Sequence, residues 1–135
     1  MNFQEEITSN LNNYFENIEQ SDIDNLTNLI IENKNTGIFF LGLGKSFNMC
    51  LQFSDLLSCI NINSAVLNPS NLLHGNMGLI NKQNLIIVLS NSGNSPELVN
   101  ILQLLKELKE CKIVLISSKK GVISSISDEN IIIPI

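Results

Sequence analysis

The amino-acid sequence predicts an α/β fold: a three-layer, doubly wound domain around a five-stranded parallel sheet. Short runs of consecutive apolar residues alternate with segments that have the period of a helix. The apolar runs are continuous rather than alternating, which indicates strands that are buried on both faces, as in a parallel sheet covered by helices. The chain has 135 residues, which is enough for one domain with a single core.

The predicted elements follow one another in a regular order. Apolar residues at three- and four-residue steps predict a helix from Phe3 to Ile18, and Ser21 is the predicted N-cap of a second helix. Strands are predicted at 38–41, 64–67, 85–89, 112–116 and 131–134. Helices are predicted at about 45–60, 96–109 and 122–127, with an irregular stretch at 69–78. We therefore expect an N-terminal helical segment, 1–36, that packs on a domain of residues 37–135.

Composition and charge exclude several classes of protein. The net charge is −5 and no basic patch is present, which argues against nucleic-acid binding because phosphate contacts need clustered Lys or Arg. No apolar run reaches the roughly 18–20 residues of a membrane span, and the N-terminus lacks the pattern of a signal peptide. Cys50, Cys59 and Cys111 have no metal-like spacing and are predicted to be buried, reduced thiols. The sequence predicts a cytoplasmic protein with neither membrane nor nucleic-acid partners.

Two loops at predicted strand-to-helix junctions predict an anion-binding pocket. Residues 42–46 (GLGKS) follow the first predicted strand, and residues 90–97 (SNSGNSPE) follow the third. Backbone N–H groups at the start of a helix are unpaired and lie at the positive end of its dipole, so they favour an anion. Between the loops, residues 74–78 (HGNMG) contain the single histidine. Alternatively, the glycines serve only a tight turn and the serines are only turn and cap residues.

Neither of the common nucleotide motifs fits the first loop. A P-loop that ends in Gly44-Lys45-Ser46 needs a further glycine where Phe39 stands, so the loop is too short to wrap a triphosphate. A dinucleotide fingerprint needs a third glycine where Phe47 stands, and the close helix–sheet packing which that glycine allows is therefore not expected. A smaller phosphorylated molecule remains the predicted ligand.

Three segments, in matching order and spacing, resemble the SIS (sugar isomerase) domain family, in particular its arabinose 5-phosphate isomerase type. They are residues 42–46, 74–80 and 90–98, and the similarity extends from about residue 37 to the end. The resemblance implies an aldose–ketose isomerase that interconverts arabinose 5-phosphate and ribulose 5-phosphate by proton transfer through an enediol intermediate. It also implies a homo-oligomer, either a dimer or a tetramer, and neither a cofactor nor a metal.

The resemblance also implies roles for individual residues. Isomerisation needs an acid/base group and a donor that stabilises the enediolate oxygen. Glu97 matches an acid/base position, Lys45 could stabilise the oxyanion, and His74 could shuttle a proton during ring opening. The implied phosphate-binding residues are Gly44, Ser46, Ser90, Asn91, Ser92, Gly93 and Ser95.

Departures from the family pattern keep a second function open. Asn76 stands where the family usually has an acidic residue, and Asn94 stands where it often has Glu. The isomerases continue into a further helix with another active-site glutamate and then a second histidine, so the chain looks truncated at its C-terminus. The alternative to an enzyme is a non-catalytic, sugar-phosphate-binding or regulatory module. A weaker alternative is a degenerate domain that folds without binding.

Overall fold

A five-stranded, all-parallel sheet forms the centre of the computed structural model, which describes residues 1–133. The strands are β1 (Ile38–Leu41), β2 (Ser64–Leu67), β3 (Leu85–Leu89), β4 (Lys112–Ser117) and β5 (Glu129–Ile132). Their order across the sheet is β2-β1-β3-β4-β5. Each neighbouring pair is parallel. The predicted α/β fold class with five parallel strands is confirmed.

Helices connect the strands and cover both faces of the sheet. They are α1 (Phe3–Asn17), α2 (Gln20–Glu32), α3 (Lys45–Cys59), α4 (Pro69–Leu72), α5 (Pro96–Lys109) and α6 (Val122–Ile126). A turn of 3-10 helix follows α4 at Asn76–Leu79, so most of the predicted irregular stretch is in fact helical. Within residues 1–133, no helix combines the length and the hydrophobicity that crossing a membrane requires.

The central strand β3 explains why the apolar runs are continuous. Successive side chains of a strand point to opposite faces of the sheet. Leu85, Ile87 and Leu89 belong to the core on the side of α2 and α3. Ile86 and Val88 belong to the core on the side of α4, α5 and α6. All five side chains are buried, so the strand has no polar face.

The order of the strands fixes where a ligand pocket can form. β1 and β3 are neighbours, with Leu41 beside Val88. From β1 the chain passes through α3 to β2 on one side, and from β3 it passes through α5 to β4 on the other side. Open α/β sheets bind ligands at such a switch point, beyond the carboxyl ends of the strands. The loops at 42–44 and 90–95 both begin at this edge of the sheet.

Two predicted boundaries differ from the structure. β5 begins two residues earlier than predicted, at Glu129, because this polar residue pairs along β4 and forms an ion pair with Lys112 at 3.1 Å. The predicted end of this strand, residue 134, lies outside the described residues. α2 begins at Gln20, since the carbonyl oxygen of Glu19 already accepts the N–H of Asp22 at 3.0 Å. Ser21 therefore lies inside the first turn and is not the N-cap.

The N-terminal helices contribute unequally to the core. Leu29 of α2 is buried in the core on the α3 side. α1 forms as predicted but has no buried residue. Its apolar stripe is exposed and consists of Phe3, Ile7, Leu11 and Phe15. The division of the chain at residue 36 stays a prediction.

The cysteines do not share one environment. Cys50 and Cys111 are buried, as predicted. Burial disfavours the thiolate, which raises the pKa of the Cys50 thiol to about 11 and also raises the pKa of Cys111. Cys59 is exposed, which corrects the prediction for this residue. It lies on the opposite face of α3 from Cys50, so only one of the two side chains can point toward the sheet.

Candidate functional site

The loop after β3 is held in shape by its own serine hydroxyls. Ser90 Oγ accepts a hydrogen bond from the N–H of Gly93 at 3.1 Å, and Ser92 Oγ accepts one from the N–H of Asn94 at 3.2 Å. Gly93 has a φ of +68°, a conformation that side chains rarely adopt. Because each hydroxyl uses a lone pair within the loop, its proton can still be donated to a ligand.

The helix that follows this loop begins without a side-chain cap. Ser95 precedes α5, and its hydroxyl does not hydrogen-bond the first turn. Pro96 occupies the first helical position, where its missing N–H is not needed. The remaining N–H groups of the first turn and the positive end of the helix dipole therefore face the loop, and both favour an anion.

The loop after β1 brings a second helix close to the same edge of the sheet. A Cβ atom on Gly42 would lie 2.9 Å from the carbonyl carbon of Ser46 and 3.0 Å from the nitrogen of Phe47. Gly44 has a φ of +58° and is the N-cap of α3. The close helix–strand approach that the sequence analysis did not expect is therefore present, and Gly42 rather than a third glycine allows it.

A polar cavity of about 290 Å³ lies between the starts of α3 and α5. We call it the Ser90 cavity. It is lined by Leu43, Ser46, Leu89, Ser90, Asn91, Ser92, Ser95 and Leu98. Five of the seven residues predicted to bind phosphate are among them, while Gly44 and Gly93 shape the two loops without lining the cavity.

The residues predicted to be catalytic lie elsewhere. His74 and Glu97 together line a second cavity of about 280 Å³, which we call the His74 groove. Its other lining residues are Pro69, Ser70, Leu73, Asn100 and Ile101, none of which lines the Ser90 cavity. Lys45 is exposed at the first position of α3 and lines neither cavity. Within the part of the chain that the structure describes, no group of His, Cys, Asp or Glu side chains could hold a metal ion.

Asn94 has a structural contact that sequence reasoning missed. Its Oδ1 accepts the N–H of Val122 at 2.7 Å, and the carbonyl oxygen of Gly93 accepts the N–H of Ile123 at 2.9 Å. A Cβ atom on Gly121 would lie 2.5 Å from Asn94 Oδ1, so only glycine fits beside it. These contacts connect the loop after β3 to the start of α6. Asn94 does not line the Ser90 cavity, so the role that the structure shows for it is structural.

A third cavity, also of about 290 Å³, adjoins the Ser90 cavity. We call it the Tyr14 chamber. Its lining residues are Tyr14, Ser46, Leu89, Ser90, Asn91, Ile116, Ser117, Ser118 and Ile133. Sequence reasoning missed Ser117 and Ser118 although both follow the predicted strand 112–116, as Ser90 follows β3, which is a usable signal. Tyr14 occupies an apolar position in the helical pattern of α1, and nothing in the sequence places it near the strand ends.

Comparison with known families agrees with this fold and with the three motifs. The model of a family described as the SIS domain matches residues 30–135. The chain belongs to the SIS domain family. The family indicated by the three motifs is thus confirmed, whereas the arabinose 5-phosphate isomerase type stays a prediction.

A curated relative resembles part of this SIS domain. The arabinose 5-phosphate isomerase KdsD of Pseudomonas aeruginosa is 34% identical over 71 residues, which cover 53% of this chain and 22% of that enzyme. This SIS domain spans between 21% and 41% of the lengths of eight curated relatives that it matches.

Solved structures share the fold over most of the chain. A protein of E. coli CFT073 in complex with arabinose 5-phosphate superposes with a TM-score of 0.80 at 20% identity, covering 100% of this chain and 76% of that chain. The sugar isomerase domain of an RpiR transcription factor from Sphaerobacter thermophilus superposes with a TM-score of 0.75 at 16% identity, covering 94% of this chain and 70% of that one. At these identities the similarity establishes the fold of the SIS domain.

We predict that Gly42→Ala destabilises the SIS domain by about 1–3 kcal/mol, because the new methyl group would overlap the backbone of Ser46 and Phe47. Urea denaturation followed by circular dichroism measures the change in the free energy of unfolding. Gly78→Ala is the matched control, since its Cβ would meet nothing within 4 Å. Equal stability of the two variants would show that α3 does not need the close approach at Gly42.

Proposed function

We propose that this SIS domain binds a sugar phosphate and that the Ser90 cavity holds the phosphate group. The observation that supports this most strongly is the lining of the cavity: four serines and one asparagine lie between the starts of two helices. A phosphate has several acceptor oxygens and a negative charge, which match hydroxyl donors and free N–H groups at helix N-termini. The arabinose 5-phosphate bound to the E. coli structural neighbour is consistent with this class of ligand.

We further propose that the reaction is the isomerisation of arabinose 5-phosphate to ribulose 5-phosphate. The similarity to KdsD supports this substrate. Glu97 and His74 line one groove, where a carboxylate could move the proton between neighbouring carbons and an imidazole could assist ring opening. In this proposal Lys45, in the first turn of α3, stabilises the enediolate oxygen.

A non-catalytic binding module is the second candidate, and the geometry gives it specific support. The Ser90 cavity and the His74 groove share no lining residue. The first turn of α5 separates them, with Leu98 facing the first and Glu97 facing the second. A sugar whose phosphate lies in the Ser90 cavity would have to cross this turn to reach Glu97 of the same chain. The similarity to the sugar isomerase domain of a transcription factor supports a regulatory role of this kind.

We also propose that the SIS domain forms a homo-oligomer. Phe3 and Phe15 of α1 are 78% and 73% exposed, on a stripe that contacts little of the rest of the chain. Exposed apolar side chains that are grouped on one face are typical of an interface.

For this assembly we predict a dimeric or larger mass in analytical ultracentrifugation at micromolar concentration, and a shift toward monomer in the variant Phe3→Ser/Phe15→Ser. Burial of aromatic side chains stabilises association, and the double variant removes two of them. A monomeric mass for the unaltered protein would contradict the proposal.

Replacing Ser90 and Ser92 by alanine should weaken the binding of arabinose 5-phosphate by at least about 100-fold. Each hydrogen bond to a charged group contributes about 1.5–3 kcal/mol, and the double variant removes two such donors. Isothermal titration calorimetry measures the affinity, and circular dichroism verifies that the variant is folded. Ser125→Ala is the matched control, because this exposed hydroxyl donates to the carbonyl oxygen of Val122 and lines none of the three cavities. Unchanged affinity in the double variant would contradict the placement of the phosphate.

If the protein is an isomerase, Glu97→Gln should lower kcat by about 100-fold or more, since general acid–base groups contribute about 10²–10⁴-fold to the rate. The affinity for arabinose 5-phosphate should change little, because Glu97 does not line the Ser90 cavity. A coupled assay of ribulose 5-phosphate formation provides the measurement, with Glu107→Gln on the exposed side of α5 as control. Binding without turnover in the unaltered protein would instead support the binding module.

A further inference from the structure

A fourth cavity lies between α2 and α3, and none of its described lining residues is polar. α2 contributes Leu26 and Ile30, α3 contributes Phe53, Leu56 and Leu57, and apolar side chains of β1, β3 and β4 form its floor. We call this cavity, of about 240 Å³, the α2–α3 groove. An apolar cavity of about 150 Å³ can stay dry and bind benzene, so the α2–α3 groove has room for a phenyl ring.

An exposed apolar stripe of α3 runs along the rim of the α2–α3 groove. Met49, Phe53, Leu56 and Ile60 are between 37% and 65% exposed. Their spacing of three and four residues places them on one face of the helix, and Phe53 and Leu56 also line the groove. The groove and this stripe therefore form one apolar surface, whose burial against another apolar surface would be favourable.

α1 carries a second apolar stripe, which its own chain leaves uncovered. The stripe consists of Phe3, Ile7, Leu11 and Phe15, spaced by four residues on a helix about 22 Å long. The three glutamates of α1 lie more than about 100° around the helix from the middle of this stripe. Burial of the stripe therefore removes no charged group of α1 from water.

α1 does not reach the α2–α3 groove of its own chain. Ile18 and Glu19, which join α1 to α2, are both extended. Tyr14, the one half-buried residue of α1, lines a cavity with Ser90 and Ser117 at the carboxyl ends of the strands. One copy thus exposes both a stripe and a groove, and two such surfaces can meet in pairs when two copies exchange α1 about a two-fold axis.

We propose that α1 of one copy docks in the α2–α3 groove of a second copy, with a phenylalanine ring of the stripe inserted in the groove, and that the exchange is reciprocal. This inference rests on the proposed homo-oligomer and names the two surfaces that hold it together. It commits the groove to a helix of a second copy of this chain rather than to a small molecule.

The surface that this exchange buries is large enough for a stable dimer. Phe3 and Phe15 are 78% and 73% exposed, and Phe53 is 37% exposed. At about 150–250 Å² for each buried aromatic side chain, these three residues of two copies would together bury roughly 700 Å². The exposed aliphatic side chains of the same surfaces contribute about as much again, so the sum falls in the range of about 1,200–2,000 Å² for stable interfaces.

The variant Leu56→Asp tests the groove side of the contact. Leu56 is 62% exposed, so the core of the single chain stays intact, whereas the proposed dimer would bury two unpaired carboxylates. The dissociation constant of the dimer, measured by sedimentation equilibrium, should rise by at least about 100-fold. Leu108→Asp is the matched control, because Leu108 is 65% exposed on α5 and does not line the groove. Circular dichroism verifies that both variants are folded.

The result for Leu56→Asp separates this inference from the proposal on which it rests. A dissociation constant equal to that of the unaltered protein would overturn the docking in the groove and leave a homo-oligomer of another geometry. A monomeric unaltered protein would overturn both the docking and the proposed homo-oligomer. Neither result bears on the binding of a sugar phosphate in the Ser90 cavity.

A mixture of two variants tests whether α1 of one copy meets the groove of another. Phe3→Ser/Phe15→Ser loses the stripe and Leu56→Asp loses the groove, so each alone should be monomeric. The mixture keeps one intact contact, between α1 of the Leu56→Asp copy and the groove of the other copy. Heterodimers should therefore form at a concentration at which each variant alone is monomeric. Their absence would overturn the inference, since packing of α1 against α1 would be lost in the mixture as well.

Discussion

The parallel pairing of β1 with β3 is the interaction on which the site depends. Leu41 lies beside Val88 in the centre of the sheet, and both side chains are buried in the core on the α5 side. Because parallel strands end at the same edge, this pairing brings the loop after each strand to one place. The two helix starts then flank a single cavity, and no charged side chain is needed to make that cavity attractive to an anion.

The loop after β3 depends on contacts at both of its sides. Its serines accept N–H groups within the loop, while Asn94 and Gly93 accept N–H groups from α6. Gly121 makes room for Asn94 where any side chain would collide. Asn94, which stands where the family often has Glu, therefore has a structural role in this chain, because its amide oxygen accepts an N–H at the start of α6.

The sequence could predict that the phosphate-binding residues lie together. It could not predict whether the catalytic residues lie next to the ligand. Ser90, Ser92 and Ser95 belong to one short loop, so local geometry alone keeps them together. His74 and Glu97 share a groove, but whether they meet the sugar depends on the path of the ligand around α5. Tyr14 reaches the site from α1, which is distant in sequence, and a periodic apolar pattern cannot distinguish a core residue from one that lines a pocket.

The sequence by itself determined the class of fold, the strands β1 to β4 and the serine- and glycine-containing loops after β1 and β3. These features depend on local patterns: continuous apolar runs, helical periods, and glycine or serine at the junctions. Only the tertiary structure decided that the side chains of α1 stay exposed, that Cys59 points outward and that Tyr14 lines a cavity together with Ser90. Each of these depends on packing between segments far apart in the chain, where the free energy of burial selects one arrangement among several that the local pattern allows equally well.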